Sequence, residues 1–371
     1  MLSFVVIVAS NFLISGDKDN QNAPQEEVNK EFSVNEDSYI VPDDDIANEK
    51  RISGETYVRF STPLLEGKIS TTGGKILDVN LQTYFEDAES ASPIKLLHGE
   101  EFMSNTIIKA KDIEIPEEVR FSSNKRNMVI SKNSDQILLV SKIGGLKLEK
   151  NYLFEAESHA IEQTIIVTNN SNKNLIFRVF EESVGELNAK ERLVFDYYAG
   201  DDMEVVDSNP SEAERVIDDI GWYGFAKKYF LSLSLLGLEG QKTLKYNKSS
   251  KNYMRSLLSY RTISLAPGSQ YSISSTIFLG PKDPKLLSEF GRDFKKAQDL
   301  GWFEWLAVPL EKLLKIFNKF INNYGISIVV VTILIRVLFL PLTVKSMMSM
   351  KKMQAKMAII KPQIDAIKEK Y

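Results

Sequence analysis

The chain has 371 residues, a mean hydropathy of -0.18 and a formal net charge of -4. These values are typical of a mostly soluble protein with a small membrane part, and the acidic balance argues against a nucleic-acid-binding protein. The sequence has no cysteine, which excludes disulfides, thiolate metal sites and cysteine nucleophiles. The two histidines, His98 and His159, lie far apart without the spacing of metal ligands. We therefore expect no metal site and no cofactor.

The first 53 residues divide into an apolar and an acidic segment. Residues 1–15 are apolar but short for a membrane span, and they lack both a basic start and a small-residue cleavage site. We interpret them as a transmembrane signal anchor whose true start lies upstream of Met1; a cleaved signal peptide is the alternative. Residues 16–53 are acidic and nearly free of periodic apolar side chains, which predicts a disordered acidic linker.

Residues 54–283 carry the pattern of β-strands. Short alternating or β-branched runs recur at 56–60, 75–84, 128–131, 136–142, 160–168, 175–180, 229–236 and 271–279. Glycine and proline turns such as Gly73-Gly74 and Pro267-Gly268 separate them. No helical crossover of suitable length lies between the runs, so we predict antiparallel sheets in one large sandwich. Neither a glycine-rich phosphate loop nor a nucleophile elbow occurs there.

Two helical segments follow the β region. Residues 284–300 predict a connecting helix. Residues 301–323 predict an amphipathic helix whose apolar face is Leu310, Leu313, Leu314, Phe317, Phe320 and Ile321, with lysines elsewhere. Tryptophans precede this face and a long apolar stretch follows it. We therefore predict a helix in the headgroup layer, with packing against the sandwich as the alternative.

Residues 324–342 form the long apolar stretch, and Arg336 lies inside it. About 19 residues give roughly 28 Å of helix, enough to cross a bilayer core. A charge at the centre of such a helix costs on the order of 3 kcal/mol, so Arg336 faces a polar cavity, snorkels to the interface or pairs within the structure. Thr332 and Thr343 share its helical face, which favours the cavity only weakly because threonine also bonds to its own helix backbone.

Residues 343–371 predict a basic helix. Val344 to Tyr371 contains seven lysines against one aspartate and one glutamate. Apolar residues recur in steps of three and four at Met350, Met353, Met357, Ile360, Ile364, Ile367 and Tyr371, which predicts a seam for a partner helix. We expect Pro362 to bend this helix without ending it. Because a seam needs a partner, the sequence is expected to continue beyond Tyr371. The lysine excess after residue 342 predicts that this end is cytoplasmic and the β region lies outside the cytoplasm.

The sequence resembles the YidC/Oxa/Alb family of bacterial membrane protein insertases over roughly residues 54 to 371. The specific matches are Gly301-Trp302, the amphipathic helix, the Tyr324-Gly325-Ile326-Ser327-Ile328 entry, the Ile335-Arg336 to Pro341-Leu342-Thr343 motif and Lys361-Pro362-Gln363-Ile364. Looser matches lie at 60–76, 221–230 and 278–282. The family's remaining core helices have no counterpart among these residues.

The resemblance implies a membrane protein with a mainly-β periplasmic supersandwich, flanked by transmembrane α-helices and followed by the start of a cytoplasmic helical hairpin. The implied location is the bacterial inner membrane, multi-pass. The implied function is insertion and folding of membrane proteins, alone or with the Sec translocon, and not enzymatic catalysis. Arg336 would supply the positive field of an intramembrane groove, and Thr332 would line it.

Further partners implied by the resemblance are nascent membrane proteins, membrane lipids and the ribosome, with no nucleic acid as a specific ligand. Lys351, Lys352 and Lys356 would belong to a cytoplasmic recruiting helix. A membrane-anchored carbohydrate-binding or mutarotase-like protein is the first alternative. The second is a scaffold that joins an outer domain to a cytoplasmic coiled coil; it leaves Arg336 unexplained.

Overall fold

The structure is a computed structural model that describes residues 55–86, 92–111, 113–186, 194–200, 202–206, 214–237, 242–248, 253–291, 294–298 and 304–370. The predicted anchor at 1–15 and the predicted linker at 16–53 lie outside the described residues. The chain divides into two units, Met1–Gln298 and Asp299–Tyr371. The first unit is mainly β and the second is helical.

The described part of the first unit contains twenty strands. They are β1 (Tyr57–Ser61), β2 (Leu65–Ser70), β3 (Ile76–Phe85), β4 (Pro93–Lys95), β5 (Phe102–Ala110), β6 (Ser122–Ser123), β7 (Asn127–Val129), β8 (Ser134–Ile143), β9 (Leu146–Glu155), β10 (Ala160–Asn169), β11 (Leu175–Glu186), β12 (Val194–Ala199), β13 (Asp202–Val206), β14 (Glu214–Asp218), β15 (Ile220–Ala226), β16 (Phe230–Leu236), β17 (Lys242–Lys248), β18 (Tyr253–Tyr260), β19 (Ile263–Leu265) and β20 (Gln270–Pro281).

These strands form two large sheets. The first has the order β14-β17-β18-β11-β5-β3-β2-β1-β7, with β19 beside β11 and β4 beside β3. The second has the order β13-β12-β15-β16-β20-β10-β9-β8-β6. Among the described pairs, all are antiparallel except β1 with β7, which are parallel with Phe60 opposite Met128. The purely antiparallel prediction is wrong at this pair, because β7 returns to β1 after a long excursion through five other strands and needs no local helical crossover.

One hydrophobic core joins the two sheets. Its members come from both sheets, and the rings of Phe60 on β1 and Phe154 on β9 lie 4.7 Å apart. Strict alternation on β9 turns Leu146, Leu148, Tyr152 and Phe154 inwards, and each is at most 1 % exposed. Burying a side chain of this kind stabilises the fold by about 1.5–3 kcal/mol.

The same inward face of β9 also carries Lys150, which is fully buried. Its Nζ donates to the carbonyl oxygens of Gly73, Gly74 and Ser104 and to the Ser104 hydroxyl. The Glu181 carboxylate lies 3.9 Å from the Nζ. Burial lowers the pKa of Lys150 to about 7, and Glu181 opposes that shift. The ammonium is thus enclosed by acceptors from three segments of the first sheet.

Glu181 completes this buried polar cluster. Its carboxylate accepts hydrogen bonds from the Ser104 hydroxyl at 2.7 Å, the Gln163 amide at 2.6 Å and the Tyr260 hydroxyl at 3.2 Å. Gln163 belongs to β10 in the second sheet, so the cluster links the two sheets through their core. Buried charges persist only when they are paired and hydrogen-bonded, and this cluster meets that requirement.

A short helical segment ends the first unit. Helix α1 (Pro284–Glu289) begins at Asp283, whose side chain accepts from the Lys285 backbone N–H at 2.8 Å. Gly291 has a φ of +61°, and a 3-10 turn follows at Phe294–Gln298. The positive φ, which glycine adopts readily, interrupts the connecting helix predicted over 284–300. Leu287, Phe294 and Ala297 pack in a second apolar cluster with Trp222 and Phe278.

Candidate functional site

The second unit consists of two helices joined by a two-asparagine turn. Helix α2 (Glu304–Ile321) contacts helix α3 (Tyr324–Lys370). Asn322 has a φ of +52° and its N–H donates to the Asn318 carbonyl at 2.8 Å, which ends α2. The Asn323 side chain accepts from the Ile326 N–H at 3.2 Å and caps the start of α3. Asparagine suits both positions because it tolerates positive φ and caps helix N-termini.

The apolar face predicted on α2 is unevenly covered. Leu313, Leu314 and Phe317 are half-buried, whereas Phe320 is 82 % exposed and Trp305 is 69 % exposed. An exposed phenylalanine and an exposed tryptophan on one amphipathic helix match the composition of helices at a membrane interface. The placement of this helix in the headgroup layer stays a prediction.

Helix α3 is one uninterrupted helix across the predicted boundary at residue 342. Tyr324–Met357 is the one described segment long and apolar enough to cross a membrane, and an 18-residue window within it has a mean hydropathy of 2.5. Most of its apolar side chains are exposed, and Ser327 and Val331 are its buried positions among the described residues. An exposed apolar helix of this length requires lipid or protein around it. The further transmembrane helices and the second arm of the cytoplasmic hairpin are not among the described elements.

Arg336 is exposed on this helix. It makes no hydrogen bond and no ion pair with any residue that the structure describes. Its neighbours are apolar and exposed as well, with Val337 at 63 % and Leu338 at 68 %. Pairing of Arg336 within the described part of the chain is therefore not the explanation of its position. A cavity, a snorkelling geometry and a partner remain compatible with the exposed guanidinium.

The two threonines of the predicted polar stripe bond to their own helix. The Thr332 hydroxyl donates to the Ile328 carbonyl at 2.7 Å, and the Thr343 hydroxyl donates to the Phe339 carbonyl at 3.0 Å. Both hydroxyls are thereby satisfied without a further partner. Thr332 is exposed one turn before Arg336, but its hydroxyl adds little to the argument for a polar cavity.

The basic end of α3 is exposed. Lys351, Lys352 and Lys356 are all exposed. Met353 and Met357, two members of the predicted seam, are about 60 % exposed. The side chains of Ile364 and Ile367 lie outside the described residues, so the seam is described only in its first half.

The histidines lie in separate surroundings. The His98 Nε2 is 3.7 Å from the Glu101 carboxylate, whereas the His159 ring lies near the rings of Tyr84 and Phe278. Burial lowers the pKa of His159. Within the described ranges, no group of three or more histidine, aspartate or glutamate side chains is arranged to hold a metal ion.

The buried cluster around Lys150 was not predicted from the sequence. One signal was available: in the run Leu146 to Phe154 every second residue is apolar except Lys150, which places an amine on the inward face of a strand. Its acceptors come from segments that are 46 to 77 residues distant. Such partners are not readable from a single sequence.

Comparison with known proteins identifies the family. The family model of the YidC periplasmic domain matches residues 57–313, and that of the 60Kd inner membrane protein matches residues 316–371. The fold and these matches define a membrane protein with a large periplasmic β domain. The chain belongs to the YidC family of membrane protein insertases, and the predicted resemblance is confirmed.

Curated relatives agree with this assignment. The membrane protein insertase YidC of Pelobacter propionicus is 29 % identical over 334 residues, which cover 85 % of this chain and 59 % of the relative. The Geobacter sulfurreducens protein of the same name is 28 % identical, covering 84 % of this chain and 60 % of the relative. The chain thus spans about 60 % of the length of these relatives. Their names describe an insertase and no enzymatic reaction, as predicted.

Solved structures give a weaker likeness. A galactose mutarotase related enzyme from Lactobacillus acidophilus superposes with a TM-score of 0.37 and 12 % identity, covering 60 % of this chain and 97 % of that protein. A likeness at this level carries no argument about function. The mutarotase-like alternative gains no support from it.

Proposed function

We propose that the protein containing this chain inserts hydrophobic segments of new proteins into the inner membrane. The proposal is supported by family membership and by one feature of α3: an exposed arginine inside a helix apolar enough to span the bilayer. Arg336 lies about 18 Å along α3 from Tyr324, well within that apolar segment. A positive charge at this depth is costly in lipid alone, so it needs water or an acidic partner.

The role proposed for Arg336 is electrostatic. We propose that a substrate's polar or acidic tail enters a water-filled groove beside Arg336. There it avoids part of the free-energy cost of moving a polar group through hydrocarbon. At about 5 Å and an effective dielectric of ~20, a positive charge stabilises an acidic group by about 3 kcal/mol. The substrate's apolar segment then leaves sideways into the lipid. Thr332 lies on the same face. Its hydroxyl is bonded to the helix backbone, so Arg336 alone supplies the positive charge.

The basic end of α3 has the recruiting role in this proposal. Lys351, Lys352 and Lys356 are exposed on the side predicted to be cytoplasmic. Exposed lysines attract anionic lipid headgroups, ribosomal RNA or acidic stretches of nascent chains. The Sec translocon and the ribosome are the proposed protein partners, and further spans outside this chain would complete a multi-pass core.

The proposal is tested by an insertion assay on the natural protein in a strain depleted of its own insertase. Arg336→Ala should slow the insertion of acidic-tailed substrates by one to two orders of magnitude, whereas Arg336→Lys should retain much of the rate because charge survives. Leu338→Ala, an exposed apolar position away from the Arg336 face, is the matched control and should stay near the wild-type rate. Membrane levels of every variant are measured alongside. An Arg336→Ala variant that inserts acidic-tailed substrates at the wild-type rate would show that the arginine only snorkels.

A further inference from the structure

A cavity of about 650 Å³ lies in the β unit. One wall comes from β4 and the loop after it, through Ile94, Lys95 and His98. The other wall is the β15–β16 turn with the start of β16, residues 227–230. Its volume lies within the range of small-molecule sites in proteins. The cavity thus joins segments of both sheets.

A buried carboxylate fixes the two walls to each other. Glu101, whose side chain is 3 % exposed, lies 3.8 Å from the Lys227 Nζ and 3.7 Å from the His98 Nε2. It also accepts hydrogen bonds from the backbone N–H groups of His98 and Glu186, each at 3.1 Å. One anion therefore holds the loop after β4, the end of β11 and the β15–β16 turn together. The walls are preformed, which lowers the entropic cost of binding a ligand.

The charge of the lining is mostly positive. Lys95, Lys227 and Lys228 line the cavity against one acidic lining residue, Glu86. Glu101 offsets part of the charge of Lys227, so the excess lies with Lys95 and Lys228, both exposed. Lys95 makes no ion pair with any residue in the described part of the chain. A cavity of this kind concentrates anions, and lysine ammonium groups are ordinary ligands of phosphate.

The lining is also partly apolar and aromatic. Ile94 and Phe230 form apolar surface in the cavity, and the Phe230 ring is held edge-on by Tyr84 with the centroids 5.3 Å apart. Tyr229 is 62 % exposed at the same site, with the Lys228 Nζ 4.9 Å from its ring centroid. A free inorganic anion would bind the lysines but leave the apolar and aromatic lining exposed to water. Lysine beside exposed tyrosine is the pairing that proteins place at lipid headgroups.

We propose that this cavity binds the phosphate headgroup of an anionic phospholipid, with Lys95 and Lys228 as the cationic ligands and Ile94, Tyr229 and Phe230 against the glycerol and first acyl carbons. The site is separate from Arg336 and does not depend on its role in insertion. It gives the periplasmic domain a ligand of its own.

The test uses the full chain in a neutral maltoside detergent and measures binding of dihexanoyl phosphatidylglycerol by titration calorimetry. Dihexanoyl phosphatidylcholine, inorganic phosphate and a hexaglutamate peptide are titrated in parallel. The anionic lipid should bind at least tenfold more tightly than each of the other three. The Lys95→Gln/Lys228→Gln variant should lose at least tenfold in affinity for it, and Lys95→Arg/Lys228→Arg should keep most of the affinity.

The matched control is Lys132→Gln/Lys173→Gln, which removes two exposed lysines elsewhere on the β unit and should change the affinity less than twofold. Melting temperatures of all variants establish that they fold. Equal affinity for inorganic phosphate would overturn the lipid assignment, as would tighter binding of the acidic peptide. An unchanged affinity in the glutamine variant, or equal binding of phosphatidylcholine, would overturn the site itself.

Discussion

Lys150 lies in surroundings very different from those of its free side chain. It is fully buried, yet carbonyl and hydroxyl oxygens surround its ammonium and Glu181 lies nearby. Arg336 presents the opposite case, an exposed cation with no described partner inside an apolar helix. The first charge is satisfied by the fold, whereas the second needs something outside the described chain. This difference separates a structural charge from a candidate functional one.

Lys150 should make the stability of the β unit depend on pH. Its folded pKa is about 7, while an unfolded lysine titrates near 10.4. Between these values the unfolded chain binds more protons, so stability rises with pH, by at most about 1.4 kcal/mol per unit. The raised pKa values of Tyr152, Tyr223 and Tyr260 oppose this rise only above about pH 10. Urea unfolding of the full chain in detergent, followed by near-ultraviolet circular dichroism at pH 7 to 9.5, measures the slope.

Removing the amine should flatten that slope. Lys150→Met leaves the Gly73 and Gly74 carbonyls and Glu181 without their cation, so its stability should fall by about 3–5 kcal/mol at pH 7. Its stability should then change little between pH 7 and 9.5. Lys132→Met, at an exposed position, should keep the wild-type slope. An equally steep rise in Lys150→Met would assign the pH dependence to other groups.

At the scale of elements, α3 is too long to lie wholly within a bilayer. Its 47 residues give about 70 Å of helix, whereas the hydrocarbon core is about 30 Å thick. Lys356 lies 20 residues after Arg336, about 30 Å further along the axis. The basic end must therefore project from the membrane, and the lysine excess predicts the cytoplasmic side.

Cysteine labelling of the natural protein, with any cysteine outside these 371 residues replaced by serine, tests this orientation, because these residues contain no cysteine of their own. A single cysteine at Lys356 should resist a membrane-impermeant thiol reagent added to spheroplasts and should react after lysis. A cysteine at Lys132, exposed on the β unit, should react before lysis. Labelling of the Lys356 position in intact spheroplasts would reverse the orientation.

The sequence predicted some elements better than others. The run predicted at 160–168 matches β10 (Ala160–Asn169), because its apolar and polar residues alternate strictly. β15 and β17 were not predicted, because glycines interrupt the first and lysines the second. Arg336 stood out as one charge in an apolar run. Lys150 did not, because it is one of many lysines and the contacts that bury it come from residues distant in the sequence.

At the scale of the whole molecule, the two units carry different candidate sites. The β unit carries the buried cluster and the basic cavity, while the helical unit carries the candidate span and Arg336. The order of the sheets was beyond prediction, since β11 pairs with β5 and β18, each about 75 residues away. The division into units, in contrast, followed from composition, because β-branched alternation gives way to a long apolar helix.

The β unit should be dispensable for insertion. The deletion removes residues 57–298, which include both sheets. It also includes Leu287 and Phe294, because these residues pack against the second sheet and would become exposed if they were left behind. This deletion in the natural protein should still restore growth of an insertase-depleted strain, because Arg336 and the basic arm remain. Loss of rescue despite normal expression and membrane location would give the β unit an essential role.

The central claim is that the charge of Arg336 acts on the substrate's translocated tail. The most direct measurement is the insertion ratio of two matched substrates, one with an acidic and one with a lysine tail, in wild-type and Arg336→Glu protein. Reversing the charge should lower the acidic-to-basic ratio by at least about 100-fold, since the stabilisation of about 3 kcal/mol changes sign. An unchanged ratio, with both substrates slowed equally, would contradict the electrostatic account and leave Arg336 a structural residue.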